Sequence, residues 1–171
     1  SPDSRLLAST GNDKKVIFWD LESGEQLYEL GGLAQSVNVV AFSPGSQLFA
    51  IGYGGIGQEY TAPASVEVFR WALVEGDGRA TVELTRLHEF TDLIGRVKSL
   101  AFSCDGQFLA AGCHDAVVRL WDSESGQALP SLQGHGRVVT AIAFSPTSPH
   151  EMASVTTLDG SRIASDELIL W

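Results

Sequence analysis

The sequence predicts an all-β protein assembled from tandem copies of one small antiparallel sheet. Three observations carry that expectation: short runs of alternating apolar and polar β-formers, the absence of helix-type periodicity, and two anchors that recur in one register. Residues 97–122, VKSLAFSCDGQFLAAGCHDAVVRLWD, are the most regular copy. There Val97, Ser99, Ala101 and Ser103 alternate with Lys98, Leu100 and Phe102, a period of two suited to a strand. Cys104-Asp105-Gly106 supplies a turn, because Asp bonds its own backbone and Gly tolerates positive φ. Residues 108–112 make a second strand, His114-Asp115 a second turn, and residues 117–121 a third strand. Such a meander cannot bury both of its faces alone, so it should stack against further copies.

The copies are legible from their anchors. Trp19, Phe69, Trp121 and Trp171 each close a run of β-formers (VIFW, VEVF, VRLW, LILW) and stand 50, 52 and 50 residues apart. Ala-Phe-Ser recurs at Ala41, Ala101 and Ala143, and 23 residues separate Trp19 from Phe42 and Trp121 from Phe144 alike. In chain order, strands are expected at 6–9, 16–19 and 26–30, with turns at Gly11-Asn12-Asp13 and Glu22-Ser23-Gly24. Residues 37–43 and 48–53 follow, joined by Pro44-Gly45-Ser46. An insertion of about 8 residues near 54–64 precedes the Phe69 strand, and an extension of about 10 lies around 75–78 or 91–92. After the regular copy come strands at 127–132, 138–145, 152–156 and 167–171, with a second insertion near 157–165.

These residues resemble the WD40 repeat family, whose unit is a four-stranded blade of a β-propeller. The resemblance rests on Trp19-Asp20, Trp121-Asp122, Gly134-His135, the Phe-Ser-Pro entries at Phe42 and Phe144, and Asp115 six residues before Trp121. It implies part of a propeller with about four blades, two complete and two cut by the chain ends, at 1–30, 37–89, 96–132 and 135–171. It also implies a set of structural anchors: Trp19, Asp13, Phe69, Trp121, Asp115, His135 and Trp171. In the family an Asp, a His, a Ser or Thr and the Trp form a buried hydrogen-bonded chain. Here the set is broken, because Leu93 stands where His135 stands in the last copy and Ser165 stands at its Asp place. An Asp buried without those partners has to find a backbone donor or water.

Composition narrows the function classes. The net charge of −10, with 21 acidic against 11 basic residues, argues against a phosphate-binding surface, hence no nucleic acid partner, while suiting solubility or steering of a basic partner. No run is long and apolar enough to span a bilayer, so no membrane partner is expected. Cys104 and Cys113 fall at far ends of adjacent strands and should be free thiols, which favours a reducing compartment and a cytoplasmic, conceivably cytoskeletal or ciliary, location. Their spacing with His114 fits no zinc pattern.

Other motifs do not survive their context. Gly52-Tyr53-Gly54-Gly55-Ile56-Gly57 satisfies G-x-G-x-x-G, but Pro63 blocks the helix such a fingerprint needs, so no nucleotide cofactor is expected. No Ser lies in G-x-S-x-G, no acid–base set converges, and neither a catalytic residue, a metal nor a cofactor is assigned. The two insertions fall in the same loop type on neighbouring copies, which suggests a partner-binding rim carrying Tyr53, Ile56, Tyr60, Leu158 and Arg162. The expectation is a non-catalytic scaffold for protein–protein interaction, completed by remaining blades of the same or another chain. The alternative is a structural propeller bound along a cytoskeletal filament such as a ciliary microtubule.

Overall fold

The computed structural model describes residues 1–54, 63–76, 79–156 and 167–171. Their strands are β1 (Leu6–Thr10), β2 (Val16–Asp20), β3 (Gln26–Leu30), β4 (Val37–Phe42), β5 (Leu48–Tyr53), β6 (Pro63–Gly76), β7 (Arg79–Ile94) and β8 (Val97–Phe102). They continue with β9 (Phe108–Cys113), β10 (Val117–Asp122), β11 (Ala128–Gln133), β12 (Val139–Phe144), β13 (Met152–Thr156) and β14 (Glu167–Leu170). Four antiparallel sheets result, ordered β1-β2-β3, β4-β5-β6-β7, β8-β9-β10-β11 and β12-β13-β14. The all-β, repeated-sheet expectation is therefore met, and the strands other than β6 and β7 lie where the alternation placed them.

The repeat extends to the irregularities. The pairing of β4 with β5 shifts between Val37 and Val39, that of β8 with β9 between Val97 and Ser99, and that of β12 with β13 between Val139 and Ala141. A bulge at one place in each inner strand adds local twist, and a strongly twisted sheet suits stacking side by side. Turns recur as well. Asp20 Oδ1 accepts the Ser23 N–H at 2.7 Å and Asp122 Oδ1 the Ser125 N–H at 2.8 Å, each turn closing on a glycine at φ 73° (Gly24, Gly126). The Asp after each Trp thus caps the turn that follows it.

Neighbouring sheets bury their apolar faces against each other. Between the first two lie Leu6, Val16 and Phe18 against Phe49, Ile51, Phe69 and Trp71. Phe18 and Phe42 meet Phe49 at centroid distances of 5.0 and 4.9 Å, and Phe42 meets Trp71 edge-on at 5.4 Å. Between the second and third sheets, Val66, Val68 and Leu93 pack on Val97, Leu109 and Trp121. Ala110, Val118, Val139, Ile142 and Met152 join the third to the fourth. A single contact repeats at every joint. Thr10 Oγ1 donates to the Val37 carbonyl at 3.2 Å, and a Cβ on Gly52 would stand 2.6 Å from Val97 Cγ1, one on Gly112 2.7 Å from Val139 Cγ1. The first residue of β4, β8 and β12 therefore sits on β1, β5 and β9 of the preceding sheet, and two of the three joints close tightly only because glycine is there.

Two expectations change. Phe69 does not end its strand, because β6 runs on to Gly76 and pairs with β7 as far as Gly76 with Arg79. The extra residues of this copy lengthen one hairpin, with Trp71 and Val82 buried along it. The insertion before it also begins and ends differently from the spacing estimate. Gly54 still bridges Arg96, and Pro63 and Ala64 are already in β6.

Candidate protein-interaction surface

The aromatic anchors occupy equivalent strands but unequal surroundings. Trp121 is 2% exposed and stacks on Phe90 at 4.4 Å with an interplanar angle of 9°, and Phe69 is likewise buried. Trp19 and Trp171 are half-buried, since each lies in a three-stranded terminal sheet with one face uncovered. In the first sheet Trp19 Nε1 donates to Ser9 Oγ at 2.8 Å. Asp13 does not join that bond; it lies exposed on the turn before β2, outside the buried chain that the family pattern implied for it. With no hydrophobic cover over the turn, its carboxylate is better solvated by water.

The fourth sheet carries a fuller chain. Ser154, 1% exposed, receives the Trp171 indole N–H at 2.7 Å, and its Oγ lies 2.6 Å from His135 Nε2. The indole can only donate, so the arrangement that uses every hydrogen has Ser154 donating to Nε2 and the imidazole proton on Nδ1. Nδ1 faces Glu167 Oε2 at 3.6 Å. At the joint between the second and third sheets the same positions hold Leu93 of β7, Ala111 of β9 and Trp121 of β10, all apolar and buried. Asp115 finds its partners elsewhere. It takes the Val117 N–H at 3.3 Å and pairs with Arg119 Nη2 at 2.7 Å, the two side chains only 16% and 14% exposed. The backbone donor follows from the cost of a buried carboxylate. The Arg119 bond had no signal in the family pattern and is the part that sequence reasoning missed, although Asp and Arg four residues apart across a tight turn could have raised it.

Of the rim residues, Ile56, Tyr60, Leu158 and Arg162 lie outside the described residues, as does Ser165. Tyr53 is not a loop residue. It is the last residue of β5, 4% exposed, because the bulged pairing with Val37 turns its ring inward against the first sheet. Burial, with the Glu67 carboxylate nearby, pushes its phenol pKa well above the ordinary value.

Tyr53 instead floors a groove of about 430 Å³ between the first two sheets. Tyr28 and Leu30 form one wall, Phe69 and Leu84 the other, and residues 32–35 of the connection close one end. Glu67, Glu89 and Arg86 line its mouth, with Arg86 Nη1 3.4 Å from each carboxylate. In this lining the buried Gln35 Oε1 has no hydrogen-bond partner, whereas the Tyr53 hydroxyl faces the Glu67 carboxylate. Among the described residues, His, Cys, Asp and Glu nowhere gather in a group able to hold a metal ion.

Comparison with known proteins gives three findings. A family model described as "WD domain, G-beta repeat" matches residues 1–20, 85–122 and 126–165. The chain is 32% identical over 123 residues to Small ribosomal subunit protein RACK1 of Drosophila melanogaster, a match covering 71% of this chain and 35% of that protein. Among solved structures, it resembles "Structure of U3-55K" with a TM-score of 0.73 at 22% identity, covering 99% of this chain and 46% of that one. It also resembles a chain of "Crystal Structure of Mitotic Checkpoint Complex" with a TM-score of 0.69 at 20% identity, covering 89% and 41%. The chain thus spans less than half the length of these relatives.

Proposed function

The chain belongs to the WD40 family of G-beta repeats, and from that footing we propose that it serves as a non-catalytic scaffold, holding protein partners within a larger protein or complex. The observation that carries the reading is the groove between the first two sheets. Its apolar walls come from two sheets, and it offers the unpaired Gln35 oxygen and the Glu67 and Glu89 carboxylates to whatever enters. Its lining mixes aromatic and aliphatic side chains with a few polar groups, as binding sites do. Two of the similar proteins bear names that place them in assemblies, a small ribosomal subunit and a mitotic checkpoint complex, which supports the same reading here. The two free cysteines support a reducing, cytoplasmic setting.

The mechanism is preorganisation. Sheets locked face to face lose little entropy when a partner docks, so contact energy goes into affinity rather than ordering. The test is affinity capture with the full-length protein, comparing wild type with a variant whose residues 55–62 are replaced by a Gly/Ser linker. Loss of a defined protein partner from the variant supports the scaffold. Co-sedimentation with polymerised microtubules, unaffected by the replacement, would instead favour the filament role, and a substrate turned over in the absence of partners would defeat both.

A further inference from the structure

We propose that the groove between the first two sheets receives a cationic side chain, arginine or lysine, presented by a partner protein. This rests on the scaffold reading and assigns it a chemistry. Gln35 brings a buried oxygen with no hydrogen-bond partner into the lining, beside Tyr53, 4% exposed, whose hydroxyl faces the Glu67 carboxylate. Gln35 Nε2 already donates to the Pro63 carbonyl at 3.5 Å, so Oε1 is the end that lacks a donor. Glu67, its side chain only 13% exposed, has Arg86 at a long 3.4 Å as its ion-pair partner, and Arg86 is shared with Glu89.

The lining therefore holds acceptors in excess of donors and carboxylates in excess of cations. A buried oxygen without a donor is costly, and a carboxylate this enclosed favours a closer cation. An anion would meet Glu67 and Glu89, and an apolar group would leave the Gln35 oxygen unsatisfied. A guanidinium brings five N–H donors and an ammonium three, and either can lay its methylene stem on Leu33 and Leu84. The chain's charge of −10 draws such a partner toward it.

The test titrates the full-length protein with Nα-acetyl-arginine methylamide and Nα-acetyl-lysine methylamide, following the Gln35 side-chain amide by NMR. The matching citrulline amide, neutral and nearly isosteric, is the control. Binding of at least one cation with displacement of the Gln35 signal, about tenfold tighter than citrulline, supports the site. Glu67→Gln should weaken that binding about tenfold, and Glu89→Gln, at a half-exposed position that cannot unfold the sheet, should weaken it less. Equal binding of citrulline, an unmoved Gln35 signal up to about 10 mM probe, or unchanged affinity in both glutamate variants would overturn the proposal. Should the titration fail while partner capture persists, this site falls and the scaffold reading stands.

Discussion

Replacing Ser154 with alanine tests the reasoning about the fourth sheet most directly. The hydroxyl is 1% exposed and serves two groups at once, His135 Nε2 at 2.6 Å and Trp171 Nε1 at 2.7 Å. Ser154→Ala strips the partner from both. The His135 side chain is fully buried, so its orphaned nitrogen should cost about 1–3 kcal/mol, and the half-buried indole, which water can reach, about another 0.5–1. A loss of about 1.5–4 kcal/mol is expected. Ser9→Ala in the first sheet removes one bond, to the half-buried Trp19, and should cost about 0.5–1.5 kcal/mol. Equilibrium urea unfolding followed by tryptophan fluorescence measures both, with an unchanged m-value certifying that the midpoint shift is stability. The double change His135→Leu with Ser154→Ala installs the apolar residues that Leu93 of β7 and Ala111 of β9 place at the equivalent positions of the preceding joint. It should cost at least about 1 kcal/mol less than the sum of the single changes. A Ser154→Ala loss below about 0.5 kcal/mol, or one no larger than that of Ser9→Ala, would refute the claim that the hydroxyl links two buried groups.

Three further outcomes follow from the geometry. Gly112→Ala forces a methyl to within 2.7 Å of Val139 Cγ1 and should destabilise by about 1–3 kcal/mol in the same unfolding assay, with Val139→Ala added in the same chain recovering part of the loss. Hydrogen bonds from the Ser23 and Ser125 turns hold the Asp20 and Asp122 carboxyls below their ordinary pKa. Their contribution is present above the unfolded value of 3.8 and is lost as pH falls through the lower folded value. The urea midpoint should therefore drop on acidification below that point, and Asp20→Asn with Asp122→Asn should flatten that limb. Burial, with Asp115 adding to it, pushes the Cys113 thiol up to about 12. Iodoacetamide at pH 8 should modify Cys104, which is partly exposed, well before Cys113, and mass spectrometry showing equal rates would contradict the burial.

The repeat and its strands were legible because they depend on local pattern. Alternation, turn residues and the spacing of Trp19, Phe69, Trp121 and Trp171 are written along the chain. The position of the long hairpin was not, since extra residues between Phe69 and Phe102 could enter at either of two places. Pairing of Trp71 with Leu84 decided it through burial against the first sheet. Tyr53 closes the expected strand 48–53 and reads as part of the partner-binding rim because an insertion follows it, yet packing from another sheet claims its ring. The groove was invisible for a related reason. Its walls, Tyr28 and Phe69, lie in different sheets, and no run of sequence records how two sheets lean together. The Arg119 partner of Asp115 was hidden by the family pattern itself, which directs attention to a histidine.

The notch that Gly52 and Gly112 leave for Val97 and Val139 sets how near one sheet can approach the next beside the inner strands. Thr10, at the equivalent place, holds Val37 through its hydroxyl instead of making room for it. Each joint is thus a wedge whose thickness is fixed by one side chain. The curvature of the whole arc is then adjustable at three points, and a single methyl group is the unit of adjustment.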